Sequence, residues 1–287
     1  MVDKNTPLFK GRAIVIATMH EKERVMAPLL EKNLGVRVVL PKNFNSDEFG
    51  TFTRDIKRAG NQLETARKKV YAAMNAEGVD LGISSEGSFG AHPSIPFIQS
   101  NLELVLFVDR KNGYEIRGHH RTSETNMHGE YVSSIEQALD FAKKVDFPEF
   151  GLIVRKNENG RFGIYKDIHT KEELIEKVGK LLSRPFTKHV FLETDMRAHK
   201  NPTRMKAIEK ATKDLLSNIS SLCPKCQTPG FVVVDFEKGL RCSLCNIPTE
   251  LPVQDIYKCF VCHHEEKKQV TKYGEKADPQ HCGYCNP

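Results

Sequence analysis

The stretch DLGISSEGSFGAHPSIP, Asp80 to Pro96, decides how the chain is read. Leu81–Ile83 is a short apolar run of the buried-strand type, bounded by turn-forming residues. It leads into Ser84, Ser85 and Glu86, with Gly87 and Gly90 close behind. An acid between hydroxyls and glycines at the end of a buried strand lacks a routine structural role. In open α/β sheets, ligands bind beyond the carboxyl ends of the strands. The reading is a strand that exits into an acidic, glycine-containing loop, with Glu86 as the residue on which a ligand site turns.

The flanking sequence supplies the fold class. Upstream, Ala13–Ala17 reads as a strand, KERVMAPLLEKNLG as an amphipathic helix closed by Gly35, and VRVVL as a second strand closed by Pro41. FNSDEFGTFTRDIKRAG has no clean period and reads as a loop. NQLETARKKVYAAMNAEG is a helix with Asn61 at the N-cap and Glu64 three residues on. Downstream, LELVLFVD and YEIRGHHR form a hairpin through KNG, and GLIVRK and RFGIYKDI another through ENG. SSIEQALDFAKKV and KEELIEKVGKLLS are helices, HVFLETD is a strand, and Asn201–Pro202 opens a long helix. The class is α/β, a mixed sheet flanked by helices. Val36–Leu40 and Leu104–Val108 are apolar enough for strands covered on both faces.

The chain has 287 residues, 39% hydrophobic and 28% charged, room for a large domain and a small one. No apolar run approaches the ~20 residues that span a bilayer. MVDKNTPLFKGR is polar and unlike a secretory signal, so the expected compartment is the cytoplasm, with no membrane partner. The net charge of +6 is spread along the chain. It suits anionic ligands, nucleotides and nucleic acids among them, and solubility accounts for it equally well.

All eight cysteines follow residue 220, as Cys223/Cys226, Cys242/Cys245, Cys259/Cys262 and Cys282/Cys285. This divides the chain into an α/β domain, 1–218, and a module, 219–287. Each CxxC turn offers two thiolates, and two such turns complete a tetrahedral zinc site. Two structural Zn²⁺ sites are therefore expected in a small C-terminal zinc-ribbon module. FVVVDFEKGLR, between the first two pairs, reads as the hairpin of a ribbon. Consecutive pairing gives two ribbons in tandem, the favoured arrangement; interleaved pairing gives a cross-braced module. Such a module is a metal-stapled mini-domain, or a contact surface for nucleic acid through Lys267, Lys268, Lys272 and Lys276.

The remaining polar residues point to phosphate chemistry. Thr18, His20 and Lys22 follow the first strand, Glu64 and Lys69 lie on the helix before Asp80, and Asp195, Arg197 and Arg204 crowd ETDMRAHKNPTRM. Glu64 and Glu86, with Asp195 as a third candidate, could share Mg²⁺ or Mn²⁺. Thr18, His20, Lys22, Lys69, Arg197 and Arg204 could hold phosphates. Plain structural readings stand beside these: a cap for Glu64, a solvated face for Lys69, an ion-paired turn for the Asp195 region.

ATMHEKE, ETARKKV and GISSEGSFG, in this order, resemble the phosphate turn, the ExAxxKA-like helix and the acidic loop of the nucleoside-triphosphate pyrophosphohydrolase fold, shared by inosine/xanthosine triphosphatases and Maf-like proteins. The resemblance covers roughly 12–120. It implies release of pyrophosphate from a nucleoside triphosphate, with Glu64 and Glu86 on metal and Thr18, Lys22 and Lys69 on phosphate. His20 stands where that pattern has Asn, Glu23 where it has Lys, and Ser84 and Ser85 where some members have paired aspartates. End to end, ATMHEKE, FGTFTRDI, SEGSFG, ETDMRAHKNPTRM and the four CxxC pairs resemble a bacterial family classed as a domain of unknown function. The expected function is a metal-dependent nucleotide phosphohydrolase. Its alternative is a non-catalytic nucleotide- or RNA-binding protein, and a homodimer is compatible with both.

Overall fold

Strand formation does not stop at Glu86. In the computed structural model, which describes residues 6–50, 60–160 and 162–287, the strand that begins at Leu81 runs through Glu86, Gly87 and Gly90 to His92. The acidic loop expected there is strand, and the serines and glycines in it serve packing. A Cβ on Gly82 would meet Met74 and Val70, and one on Gly87 would meet Glu103 and Arg204. Ser84 turns its hydroxyl onto the Ala66 carbonyl at 2.7 Å. Most of the FGTFTRDI stretch, residues 51–59, lies outside the described residues.

The described residues fall into two units, Thr6–Leu216 and Ser217–Pro287. The first begins with a short helix, Thr6–Phe9 (α1), then Ala13–Ile16 (β1), Glu23–Leu34 (α2), Arg37–Val39 (β2) and Gln62–Glu77 (α3). Leu81–His92 (β3) and Ile95–Asp109 (β4) form a long hairpin, extended by Tyr114–Thr122 (β5). These make a sheet of order β2-β1-β3-β4-β5, parallel across β2, β1 and β3 and antiparallel beyond. Leu104–Val108 is buried throughout, as its composition requires. β2 is a correction: it is an edge strand, with Arg37 exposed and Val38 and Val39 half-buried.

The chain then forms Gly129–Val132 (β6), Ile135–Lys144 (α4), Leu152–Arg155 (β7), Ile164–Ile168 (β8), Lys171–Leu182 (α5), Val190–Thr194 (β9) and Pro202–Ser220 (α6). β6, a four-residue strand without a turn signal before it, was not legible from composition; it completes an antiparallel sheet of order β6-β9-β7-β8. Phe141, Leu152, Leu174, Val178, Leu181 and Leu192 knit α4 and α5 onto this sheet. On the first sheet Val15, Leu104, Leu106 and Val108 pack against Ala66, Val70 and Met74 of α3. Side chains alternate along strands, so Ser85, Gly87, Glu103 and Val105 face the other side.

That other side is closed by α6. A Cβ on Gly118 of β5 would lie 2.3 Å from the Leu215 nitrogen and 2.5 Å from the Ala211 oxygen. The helix backbone thus rests directly on the strand, and neither atom can swing away. Gly118→Ala is expected to lower stability by ~1–3 kcal/mol through overpacking, read from the urea midpoint; an unchanged midpoint would contradict this packing.

Candidate functional site

β1 ends at Ile16, paired with Ile83, while β3 continues for nine more residues. Beyond Ile83 the β1 edge of β3 is met by the turn 17–22, with Ala17 donating to the Ile83 carbonyl at 2.8 Å. Lys22 then reaches across, and its Nζ donates to both the carbonyl and the hydroxyl of Ser85, each at 2.9 Å. The ammonium is buried, at 6% exposure.

Two ion pairs flank it. Lys69, one turn beyond Thr65 on the buried face of α3, meets Glu86 at 2.5 Å. Arg204, in the first turn of α6, donates from Nε to Glu103 at 2.9 Å and from Nη1 to the Met196 carbonyl at 2.5 Å. Asn201 holds that turn by accepting from the Arg204 amide at 2.9 Å. Glu86 points to the α3 side of the sheet and Glu103 to the α6 side, so the pairs bracket the sheet at Ser85. Lys22, Lys69, Glu86, Glu103 and Arg204 are all buried. Among the described residues, three cations thus face two carboxylates. Burial, with Arg204 as the next cause and Lys69 adding to it, pushes the Lys22 pKa down to about 7 against the pull of Glu86 and Glu103.

Thr18 accepts from the His20 amide at 3.1 Å and lines an open cleft of about 400 Å³ with Met19, Glu21, Leu40, Asn43 and Phe44. His20 Nε2 lies 3.0 Å from Asp47 Oδ1. Its ring stacks on His199, centroids 5.0 Å apart and planes 15° from parallel.

The sequence-derived carboxylate set is not brought together. Glu64 is exposed, and its carboxylate accepts from the Asn61 amide at 3.0 Å in a capping box. Glu86 is held by Lys69. Asp195 is taken up by Arg197, at 2.6 Å to Nη2 and 2.9 Å to the backbone amide. Arg197 in turn binds Asp167 at 2.9 Å. Burial opposes the Arg197 charge, and Asp195 and Asp167 outweigh it, raising its pKa. Glu64 thus caps a helix, and Asp195 and Arg197 form a closed ion pair. These donors do not fit a shared Mg²⁺ or Mn²⁺. Among the described residues, the groups of three or more His, Cys, Asp or Glu placed to hold a metal are the two cysteine sets.

Those sets are Cys223, Cys226, Cys259, Cys262 and Cys242, Cys245, Cys282, Cys285. The pairing is interleaved, correcting the tandem expectation. FVVVDFEKGLR is one strand, Val232–Lys238 (β10), not a hairpin; it is followed by Pro252–Lys258 (β11) and Glu265–Gln269 (β12) in an antiparallel meander. Successive knuckles therefore fall at alternate ends of the sheet, first with third and second with fourth. Each knuckle closes with the same turn: the amides of Gln227, Asn246, His263 and Asn286 donate to the carbonyls of Cys223, Cys242, Cys259 and Cys282. Sγ atoms across the pairs lie 3.5 to 3.9 Å apart. Four thiolates ~2.3 Å from a tetrahedral zinc would be about 3.8 Å apart, so both sets could hold such an ion.

The model of the family described as a domain of unknown function, DUF6671, matches residues 69–287. The chain belongs to this family. The curated proteins gave no match. The DUF6671 match takes in Lys69, Glu86, Glu103, Arg204 and all eight cysteines, and leaves Thr18, His20, Lys22 and Asp47 outside it. No helix among the described residues is long and apolar enough to cross a membrane. Sequence reasoning missed Asp47, set in an aperiodic loop, and Glu103, an acid inside an apolar strand that ends at Asp109; a charge between Leu102 and Leu104 was an available signal.

The interleaved pairing has a direct test. In Cys223→Ser/Cys259→Ser both lost thiols belong to one set, so the variant is expected to keep one tightly bound metal per chain against two in the unaltered protein, by elemental analysis. Tandem pairing would damage both sites and leave none.

Proposed function

We propose that the α/β unit binds a nucleotide through its polyphosphate at Lys22, Lys69 and Arg204, and hydrolyses it with release of pyrophosphate. The observation that supports the binding is the buried Lys22 ammonium at the end of β1, held by two neutral Ser85 oxygens where the described cations outnumber the carboxylates. Burying an uncompensated charge is costly, and an anion supplied by a ligand removes the cost. The place fits as well, since β1 and β3 are parallel and the cluster lies at the carboxyl end of β1. Thr18 carries the site into the neighbouring cleft, whose Leu40 and Phe44 offer apolar contact to a base. Hydrolysis rests on the resemblance of ATMHEKE, ETARKKV and GISSEGSFG to the nucleoside-triphosphate pyrophosphohydrolases. With the carboxylates paired, no step is assigned to a protein-held divalent metal.

In the C-terminal unit the two cysteine sets hold structural Zn²⁺. Phe231, Cys223 and Cys259, with Tyr257 and Cys262 against them, are a core too small to fold unaided. RNA contact through this unit is disfavoured by its charge. Residues 219–287 hold eight Lys and Arg and eight Asp and Glu. Lys238, Lys258 and Lys268 are paired with Glu250, Glu265 and Glu266, and Lys267 with Glu237. Each zinc with four thiolates adds two negative charges, the wrong sign for a phosphate backbone.

Calorimetric titration of the purified protein with ATP, GTP, CTP, UTP, ITP and inorganic pyrophosphate, beside nucleosides, tests the reading. At least one phosphate ligand is expected to bind while the nucleosides do not, and Lys22→Met is expected to weaken it tenfold or more. Glu86→Gln, which keeps an acceptor for Lys69 but removes a negative charge, is expected to tighten it. Absence of binding across the panel, or Glu86→Gln abolishing binding as the loss of a metal ligand would, contradicts the reading.

A further inference from the structure

Every buried carboxylate around the cations has a cationic partner: Glu86 has Lys69, Glu103 has Arg204, and Asp195 has Arg197. Among the described residues, none of these paired carboxylates is left to take a proton from water. Lys22 donates to two oxygens of Ser85 and is occupied as a donor. His20 differs. It sits two residues before Lys22 and two after Thr18, in the turn that joins the cations to the cleft. Its Nε2 is held at 3.0 Å by Asp47, a residue of the 3₁₀ turn Ser46–Phe49 that is itself capped by Asn45 on the cleft wall. Its ring plane is fixed by the stack on His199. An Asp47 carboxylate that accepts from Nε2–H leaves the lone pair on Nδ1, and Nδ1 makes no hydrogen bond among the described residues. A carboxylate that orients an imidazole and strengthens it as a base is the recurring arrangement for proton abstraction.

We propose that His20, oriented by Asp47, is the general base that activates water for attack on the α-phosphorus of a nucleotide held by Lys22, Lys69 and Arg204, an assignment that rests on the nucleotide reading above. One water proton passes to Nδ1 as the water oxygen bonds to the α-phosphorus. The bond from that phosphorus to the α–β bridging oxygen breaks, and pyrophosphate leaves with the electron pair. The products are a nucleoside monophosphate and pyrophosphate, and the imidazolium then returns its proton to solvent. Lys22 and Arg204 face the leaving charge, and no protein-bound metal is required.

The electrostatics agree with the geometry. Burial lowers the His20 pKa, Asp47 opposes this, and Lys22 and Arg204 add to it, so the ring is neutral at pH 7 and its Nδ1 lone pair is free to take a proton. His199, facing it from the other side, is lowered too, first by burial and then by His20 itself. Asp47 loses solvation, which raises its pKa, but the His20 bond and charge together with Lys69 and Lys166 outweigh this, and its carboxyl stays ionised below the usual range. Asp47 acts through His20 and is a positioning residue.

The test is steady-state hydrolysis by the full chain, on the nucleotide that binds, across pH 5–9, with binding measured separately. His20→Ala is expected to lower kcat by ~10²–10⁴ with the nucleotide Kd changed less than about threefold, and added imidazole is expected to restore part of the rate. Asp47→Asn, nearly isosteric and so a control on folding, is expected to lower kcat with KM little changed. It removes the interaction that raises the His20 pKa, so the acid limb of the kcat profile moves to lower pH. Full activity in His20→Ala, no imidazole rescue, or an unmoved acid limb in Asp47→Asn overturns the assignment. So does an unaltered protein that binds nucleotide without hydrolysing it, which leaves the binding reading intact. An unaltered protein that binds no nucleotide overturns both.

Discussion

Lys22 is held with its ammonium against two oxygens of Ser85, out of solvent, between Lys69–Glu86 on one face of a sheet and Arg204–Glu103 on the other. Much of the first unit is arranged around that constraint. β1 stops early so that the turn carrying Lys22 can reach Ser85. β3 runs on so that Glu86 has strand geometry and not loop freedom. Gly87 is bare because a Cβ there would lie 2.5 Å from Glu103 Oε1. α6 begins at Pro202 with Asn201 accepting from the Arg204 amide, which aims the guanidinium at Glu103. Ion pairs desolvated to this degree contribute little net stability. A ligand of opposite charge supplies a physical reason for collecting them.

The second unit is governed by topology. A three-stranded antiparallel meander places successive loops at alternate ends, so four knuckles separated by single strands can close only as first with third and second with fourth. With metal in place, each end of β10-β11-β12 is stapled, and cross-strand pairs such as Lys258 with Glu265 occupy the exposed ladder. The unit has the character of a stapled platform, its eight Lys and Arg matched in number by eight Asp and Glu.

The helices, the capping box at Asn61 and Glu64, and most strands of the first unit were legible because periodicity and caps are local signals. The eight cysteines were legible as ligands for the same reason. Their pairing was not, because the strand count between knuckles decides it, and FVVVDFEKGLR reads equally well as one strand or two. SSEGSFG misled because serine and glycine usually mark loops; here Ser84 satisfies a helix carbonyl and Gly87 makes room for an ion pair, both long-range facts. Lys22, Lys69, Glu86 and Arg204 were found by residue type. The partners that define their roles, Ser85 for Lys22 and Glu103 for Arg204, lie far away in sequence, and Asp47, the partner of His20, lies in a segment without a pattern. Glu64, Asp195 and Arg197 carried the right chemistry but are engaged elsewhere.

The central claim is that Lys22, buried against the neutral oxygens of Ser85, takes an anion from a ligand to balance its charge. Proton uptake on ligand binding tests this most directly. With a pKa of about 7, Lys22 is mostly neutral at pH 8, and a bound polyphosphate restores its charge. Calorimetry of ATP binding at pH 8, in two buffers of different ionisation enthalpy, is expected to show uptake of close to one proton by the unaltered protein and none by Lys22→Met. Equal uptake in the two proteins, or none in either, would contradict the account.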